Sequence, residues 1–169
     1  AKQLPLRLEA VSPADVVDTV VERLRPQFDE KGLELDVDVS PSLPVVRADR
    51  ERAIQVLTNL LTSALRYTPA PGRVGIAVRQ EADGLQFSVS DSGIGLAANE
   101  LARVFERFYR AEKSRSRAAG GAGIGLTIGK ALIEAMGGRI WADSAGLGQG
   151  ATFGFLLPLA VRSDPLTKS

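Results

Sequence analysis

The sequence predicts a two-layer α/β domain in which a mixed sheet carries helices on one face. Three observations lead there. Segments of strand and helix periodicity interleave, yet the strands repeatedly arrive as adjacent pairs, whereas neighbours in a doubly wound parallel sheet are separated by long crossovers. The strand segments alternate apolar and polar residues, most strictly LELDVDV at 33–39, as half-buried strands do. With 169 residues, 44% hydrophobic and 24% charged, the chain suffices for one domain with its own core.

The chain opens with the alternating residues 6–9 (LRLE), a short strand. Ser12 then caps a helix whose first turn holds Pro13, where a missing N–H is harmless, and which ends near Lys31 and Gly32. After the strand at 33–39, Pro41 and Pro44 interrupt the chain before a short strand at 45–48. Asp49 caps a second helix that runs to about Tyr67 and packs Ile54, Leu57, Leu61 and Leu65 at helical spacing. Beyond the turn Pro69-Ala70-Pro71-Gly72 come strands at 74–79 and 85–90, joined at Asp83-Gly84. A helix over 100–109, a basic stretch and a helix beginning near Ile124 follow. A hairpin from Arg139-Ile140-Trp141 to Thr152-Phe153-Gly154-Phe155 closes the domain. There are no internal repeats; residues 1–160 form the domain and 161–169 a frayed tail.

Three features carry chemistry. The first is a pair of glycine turns, Asp91-Ser92-Gly93-Ile94-Gly95-Leu96 after a strand and Gly121, Gly123 and Gly125 running into a helix. Glycine lets backbone approach a ligand closely, and a helix N-terminus presents unpaired N–H groups to phosphate, so two such turns flanking one segment suggest a nucleotide clamp. The second is a stripe on the Asp49-capped helix. Gln55, Asn59, Ser63 and Arg66 recur at three- and four-residue steps and share the face opposite the leucines. A solvated surface stripe would usually be rich in Lys and Glu; this row of uncharged amides and hydroxyls equally suits an oxygen-ligated cation with a phosphate beside it. The third is the stretch 107–117, where Arg107, Arg110, Lys113, Arg115 and Arg117 stand against Glu112: a solvated loop, or a cationic lid.

Composition excludes several classes. Cysteine and histidine are both absent, which removes disulfides, thiolate or imidazole metal sites, cysteine nucleophiles and any Ser-His-Asp arrangement. A net charge of only +1 argues against nucleic-acid or membrane-surface binding. No apolar run reaches the roughly 18 residues of a membrane span and no signal-peptide pattern is present, so a soluble domain is expected. The chain begins at Ala1 rather than Met, as a piece of a longer protein would.

Four segments resemble, in order and spacing, the boxes of sensor histidine kinases. QVLTNLLTSALRYTP resembles the N box, DSGIGL the first glycine box, FERFYR the F box, and GGAGIGL with GLGQGATFGFLLP the remaining glycine boxes; the likeness covers about residues 5 to 159. The chain thus resembles the catalytic ATP-binding domain of a two-component histidine kinase in the GHKL superfamily. That resemblance implies the Bergerat fold: a mixed, mostly antiparallel sheet covered on one face by helices, with ATP and Mg²⁺ between the layers under a mobile lid. It implies transfer of the γ-phosphoryl group to a histidine on a separate dimerisation domain, then signalling to a response regulator. It also implies a cytoplasmic site, as part of a membrane-anchored sensor, with no direct membrane contact by this domain.

By the same resemblance, Asp91 accepts a hydrogen bond from the adenine amino group, although an Asp at this position is also an ordinary turn former. Gly93 and Gly95 let the backbone pass close to the base, and Tyr67 packs on adenine or, alternatively, serves as a half-buried core residue. Asn59 and Ser63 lie where Mg²⁺ is ligated, and Arg66 and Arg110 where phosphate oxygens are contacted; Asn59, Arg66 and Arg110 are the catalytic candidates. Gly121, Gly123, Ile124, Gly125, Leu126 and Thr152 complete the implied nucleotide site, and Phe105 and Phe108 anchor the lid in the core.

One departure matters: Ser63 stands where the family has its second N-box asparagine. Met136, where many relatives have histidine, and Ala151, where Ser or Thr is usual, are lesser departures that do not decide activity. With no histidine the chain cannot be its own acceptor, and the helix stripe offers no carboxylate to activate water. Besides the kinase, the sequence leaves open a nucleotide-binding pseudokinase or sensor module, supported by Ser63, and an anti-sigma-factor serine kinase of the same fold.

Overall fold

The computed structural model describes residues 5–106 and 122–160, with side chains from 126 onward in the second stretch. Its frame is a five-stranded sheet in the order β2-β4-β5-β7-β6, where β2 is Leu33–Val39, β4 Gly72–Glu81, β5 Gly84–Asp91, β6 Arg139–Asp143 and β7 Ala151–Pro158. Only β2 and β4 run parallel; the β4–β5, β5–β7 and β6–β7 pairs are antiparallel, so the sheet is mixed and mostly antiparallel as expected. A small ribbon pairs β1 (Glu9–Val11) with β3 (Val46–Ala48).

Among the described residues three helices, α1 (Pro13–Lys31), α2 (Arg50–Tyr67) and α4 (Ala122–Ala135), supply the second layer. Their start and stop signals act as the sequence requires. Ser12 Oγ accepts the Asp15 N–H at 3.2 Å, Asp49 Oδ1 accepts the Arg52 N–H at 3.1 Å, and Gly32 ends α1 at φ 86°. Lys31 Nζ adds a further stop by donating to the Leu65 carbonyl, one of the last of α2, at 2.6 Å.

The core lies between the layers. Val16, Val20 and Phe28 of α1, Leu57, Leu60 and Leu61 of α2, and Ile133 of α4 are buried against Ile76 of β4, Phe87 and Val89 of β5, and Phe155 and Leu157 of β7. Phe87 and Phe155 face each other across the β5–β7 pair, stacked at 4.8 Å between centroids. Residues of alternate parity (Gly75 and Ala77, Gln86 and Ser88, Thr152) are only partly covered, which marks the sheet face the helices leave open.

Several boundaries differ from expectation. The first strand lies at Glu9–Val11 rather than 6–9, because pairing with the distant β3 sets its limits; upstream, the Arg7 N–H donates instead to Asp49 Oδ2 at 2.9 Å. The β4–β5 turn falls at residues 82–83, since Gly84 already pairs with both Glu81 and Pro158. Of the helix expected over 100–109, residues 107–109 lie outside the described residues, and the described part is one turn, α3 (Ala98–Leu101), begun where Glu100 accepts the Ala97 N–H at 2.8 Å. Over 102–106 Arg103 and Glu106 bond back to the carbonyls three residues before them, the tighter spacing of a turn. The helix expected from Ile124 starts at Ala122.

Candidate functional site

The site is assembled where the end of β5 meets the end of α2. Asp91 closes β5, and its Oδ1 accepts the Gly93 N–H at 2.8 Å, an Asx-type turn that sends the chain back over α2. There the Ile94 N–H donates to the Tyr67 carbonyl at 3.2 Å. Gly93 is buried with its α-carbon against the same carbonyl, so any β-carbon there would collide with the Tyr67 oxygen. The sequence joins Asp91 to Gly93 because only glycine lets the turn lie this close.

A second loop, 144–150, clamps the turn from the other side. Gly148 N–H donates to Ile94 O at 2.7 Å, and Gly150 N–H to Gly93 O at 3.1 Å. Ser144 organises both loops at once: its hydroxyl donates to Gly150 O at 2.6 Å and accepts the N–H groups of Leu96 and Gly146, each at 3.1 Å. Gly95 sits between them at φ 71°, against the Gly146 carbonyl. Ser144 carries no box signature, and no periodicity in the sequence marks it.

The electrostatics of Asp91 follow from this packing. Burial pushes its carboxyl above the usual carboxylate range, and the backbone N–H groups of Gly93 and Ala151 pull it partway back. A carboxyl that is partly desolvated, oriented by backbone amides and placed at a strand end suits recognition of a hydrogen-bond donor on a planar base.

Along α2, Gln55, Asn59 and Ser63 are half-buried and Arg66 is exposed. They share the helix face away from the core residues Ile54, Leu57, Leu60 and Leu61. α4 runs beside α2, close enough that a β-carbon on Gly129 would touch the Val56 side chain at 3.7 Å. Phe105 meets Phe153 edge to face at 6.3 Å, anchoring the chain just before 107, and Thr127 of α4 donates toward Phe105 O and Glu106 O at 3.3 and 3.1 Å.

The structure brings Tyr67, Asp91, Gly93 and Gly95 to one corner and sets Asn59, Ser63 and Arg66 on the helix that leads to it. Leu126 packs on the core from α4, whose first turn includes Gly123, Ile124 and Gly125. Thr152 is not brought there. It lies opposite Ser90, one residue from Asp91 and therefore on the other face of the sheet, and the two hydroxyls share a hydrogen bond at 2.9 Å. Ala151 is the residue opposite Asp91. Arg110, Lys113, Phe108 and Gly121 lie outside the described residues.

A sequence profile of the family described as "Histidine kinase-, DNA gyrase B-, and HSP90-like ATPase" matches residues 48–161, from the last residue of β3 to just past β7. The chain belongs to this family. Among sensor kinases of the family, it is similar to the sensor histidine kinase WalK of Bacillus subtilis (strain 168). The two are 45% identical over 115 residues, which is 67% of this chain and 19% of WalK. A crystal structure of full-length ShkA in complex with AMPPNP superposes with a TM-score of 0.82 at 36% identity, over 98% of this chain and 34% of that one. The mycobacterial sensor histidine kinase MprB superposes at 0.77 with 29% identity, over 90% of this chain and 98% of the other. The chain therefore spans about a fifth of WalK and a third of ShkA, and it corresponds to their histidine kinase-like ATPase portion. Among the described residues no helix is long and apolar enough to cross a membrane.

Proposed function

We propose that this domain binds ATP between α2, the Asp91 turn and α4, and donates the γ-phosphoryl group to a histidine on a separate dimerisation domain. A response regulator is the onward acceptor, and the cytoplasm the place of action. The observation that carries the reading is Asp91: a desolvated carboxyl held by the Gly93 and Ala151 amides at the strand end, beside Tyr67. It would accept from the C6 amino group of adenine, where guanine in the same pose presents a carbonyl acceptor instead. The likeness to ShkA, whose structure holds AMPPNP, supports an adenine nucleotide.

The metal fits the donor set. Asn59 and Ser63 offer uncharged oxygens one turn apart on a half-buried face, and no group of three or more His, Cys, Asp or Glu that could cage a metal exists among the described residues. Mg²⁺ suits such a site, because it takes much of its shell from phosphate and water and needs few protein oxygens. When bound, it would neutralise charge on the transferring phosphoryl group. The chain's own work is positioning: Arg66 and Arg110 pair with phosphate oxygens, and Asp91 fixes the base so that the triphosphate runs along α2. No carboxylate stands in the Gln55-Asn59-Ser63 row, so no group there can deprotonate water, and transfer to a partner is favoured over hydrolysis.

Ser63 supplies the decisive experiment. Its hydroxyl is shorter than an amide, so Ser63→Asn is expected to strengthen Mg²⁺-dependent ATP binding and phosphoryl transfer by about tenfold, or roughly 1.4 kcal/mol. The assay mixes γ-labelled ATP with either form and a separately supplied histidine-bearing domain. Acid-labile label on the partner is expected. Acid-stable label on a serine would instead point to a serine kinase, and no transfer by either form would leave a nucleotide-binding module.

A further inference from the structure

Thr68 follows α2 directly and is fully buried, at 0% exposure. Its hydroxyl has no hydrogen-bond partner among the described residues. Buried hydroxyls are nearly always paired, and leaving one unpaired costs desolvation energy with no return, so an unpaired one beside a binding site calls for a partner that arrives with the ligand.

The rotamer shows which way the group is aimed. The Thr68 methyl faces Gly72, and the hydroxyl faces the Asp91 turn. Thr68 Oγ1 and Asp91 Oδ1 each lie 3.0 Å from the point where a Gly93 β-carbon would sit, so the two oxygens are no more than twice that distance apart. Across the ladder from Asp91, Ala151 presents only a methyl. The side-chain hydroxyl of Thr68 is therefore placed to serve the carboxylate from behind the turn, while the backbone bond from Ile94 to Tyr67 ties the turn itself to α2.

We infer that Thr68 is a positioning residue for base recognition, its hydroxyl donating to the Asp91 carboxylate when nucleotide draws the turn toward α2. The inference rests on the nucleotide reading of the site. The hydrogen bond fixes the carboxylate's orientation toward the amino group of the base and makes it a better acceptor. In the nucleotide-free protein the same hydroxyl is a liability, so its contributions to stability and to binding have opposite signs.

That opposition makes the test discriminating. Thr68→Val keeps the shape and removes the hydroxyl; Thr68→Ser keeps the hydroxyl and removes the methyl. Wild type and both variants are titrated calorimetrically with ADP and melted without nucleotide. The valine form is expected to melt at the same temperature or about 2 to 4 °C higher, yet to bind ADP about tenfold more weakly, with serine within about twofold of wild type. Unchanged ADP affinity in the valine form overturns the inference, as does weaker binding accompanied by a lower melting temperature, which would make Thr68 merely structural. If wild type itself gives no binding heat with ADP, the nucleotide reading fails first, and the inference with it.

Discussion

Asp91→Asn is expected to weaken ADP binding by between about 10- and 150-fold. An amide oxygen can still accept the Gly93 N–H, so the turn survives the substitution, but the other carboxylate oxygen becomes an NH₂ group facing the adenine amino donor. Losing one hydrogen bond to a charged acceptor accounts for about 1.5 to 3 kcal/mol, which corresponds to that range. The pH dependence carries a second signature. Because burial raises the folded-state pKa of Asp91, its contribution to stability is fully present below the ordinary carboxylate pKa and is lost as pH rises through the raised value. ADP binding runs the opposite way, weakening as pH falls through the same range and the carboxylate takes up its proton. Calorimetric titration across that range should show the decline in wild type and none in Asp91→Asn; equal affinity in the two proteins would remove Asp91 from the site.

Gly95→Ala is expected to cost about 2 to 4 kcal/mol of folding stability and to lower the melting temperature by roughly 10 °C. Two penalties coincide: Gly95 sits at φ 71°, which disfavours any L side chain, and its missing β-carbon would otherwise strike the Gly146 carbonyl. Relief requires the 144–150 loop to move. That releases the bonds from Gly148 to Ile94 and from Gly150 to Gly93, so ADP affinity should fall along with stability. A thermal melt within 2 °C of wild type, on the scale where 1 kcal/mol shifts a domain of this size by about 2 to 4 °C, would show that the clamp does not constrain the turn.

The contrast between these two residues shows what was legible in the sequence. Asp91 and its glycines stand in a contiguous box, and local chemistry places them: a strand end, an Asx turn, a close approach to a helix. Ser12, Gly32 and Asp49 were readable for the same reason, since a cap acts within a few residues of itself. What escaped depends on pairing across the fold. The first strand is limited by register with β3, and after Leu101 the backbone through 106 tightens into turns, with Phe105 set against Phe153. Thr152 reads as part of a glycine box, but ladder register with Ser90 sends it to the open face. Thr68 lies inside the N box but nothing in the box marks its role, and Ser144 lies in no box, because the meaning of each comes from neighbours far along the chain: the Asp91 turn for one, Leu96 and Gly150 for the other.

The most direct test of where nucleotide binds is a titration of the ¹⁵N-labelled protein with ADP, following backbone amide shifts residue by residue. The largest changes are expected at Gly93, Ile94 and Ala151, whose amides hold Asp91 and its turn, and along α2 from Asn59 to Tyr67. Smaller changes should reach the 146–150 loop through its bonds to the turn, and the β2–β4 edge should stay still. Shifts centred on that edge or on the open sheet face, with the Asp91 turn unmoved, would contradict the account.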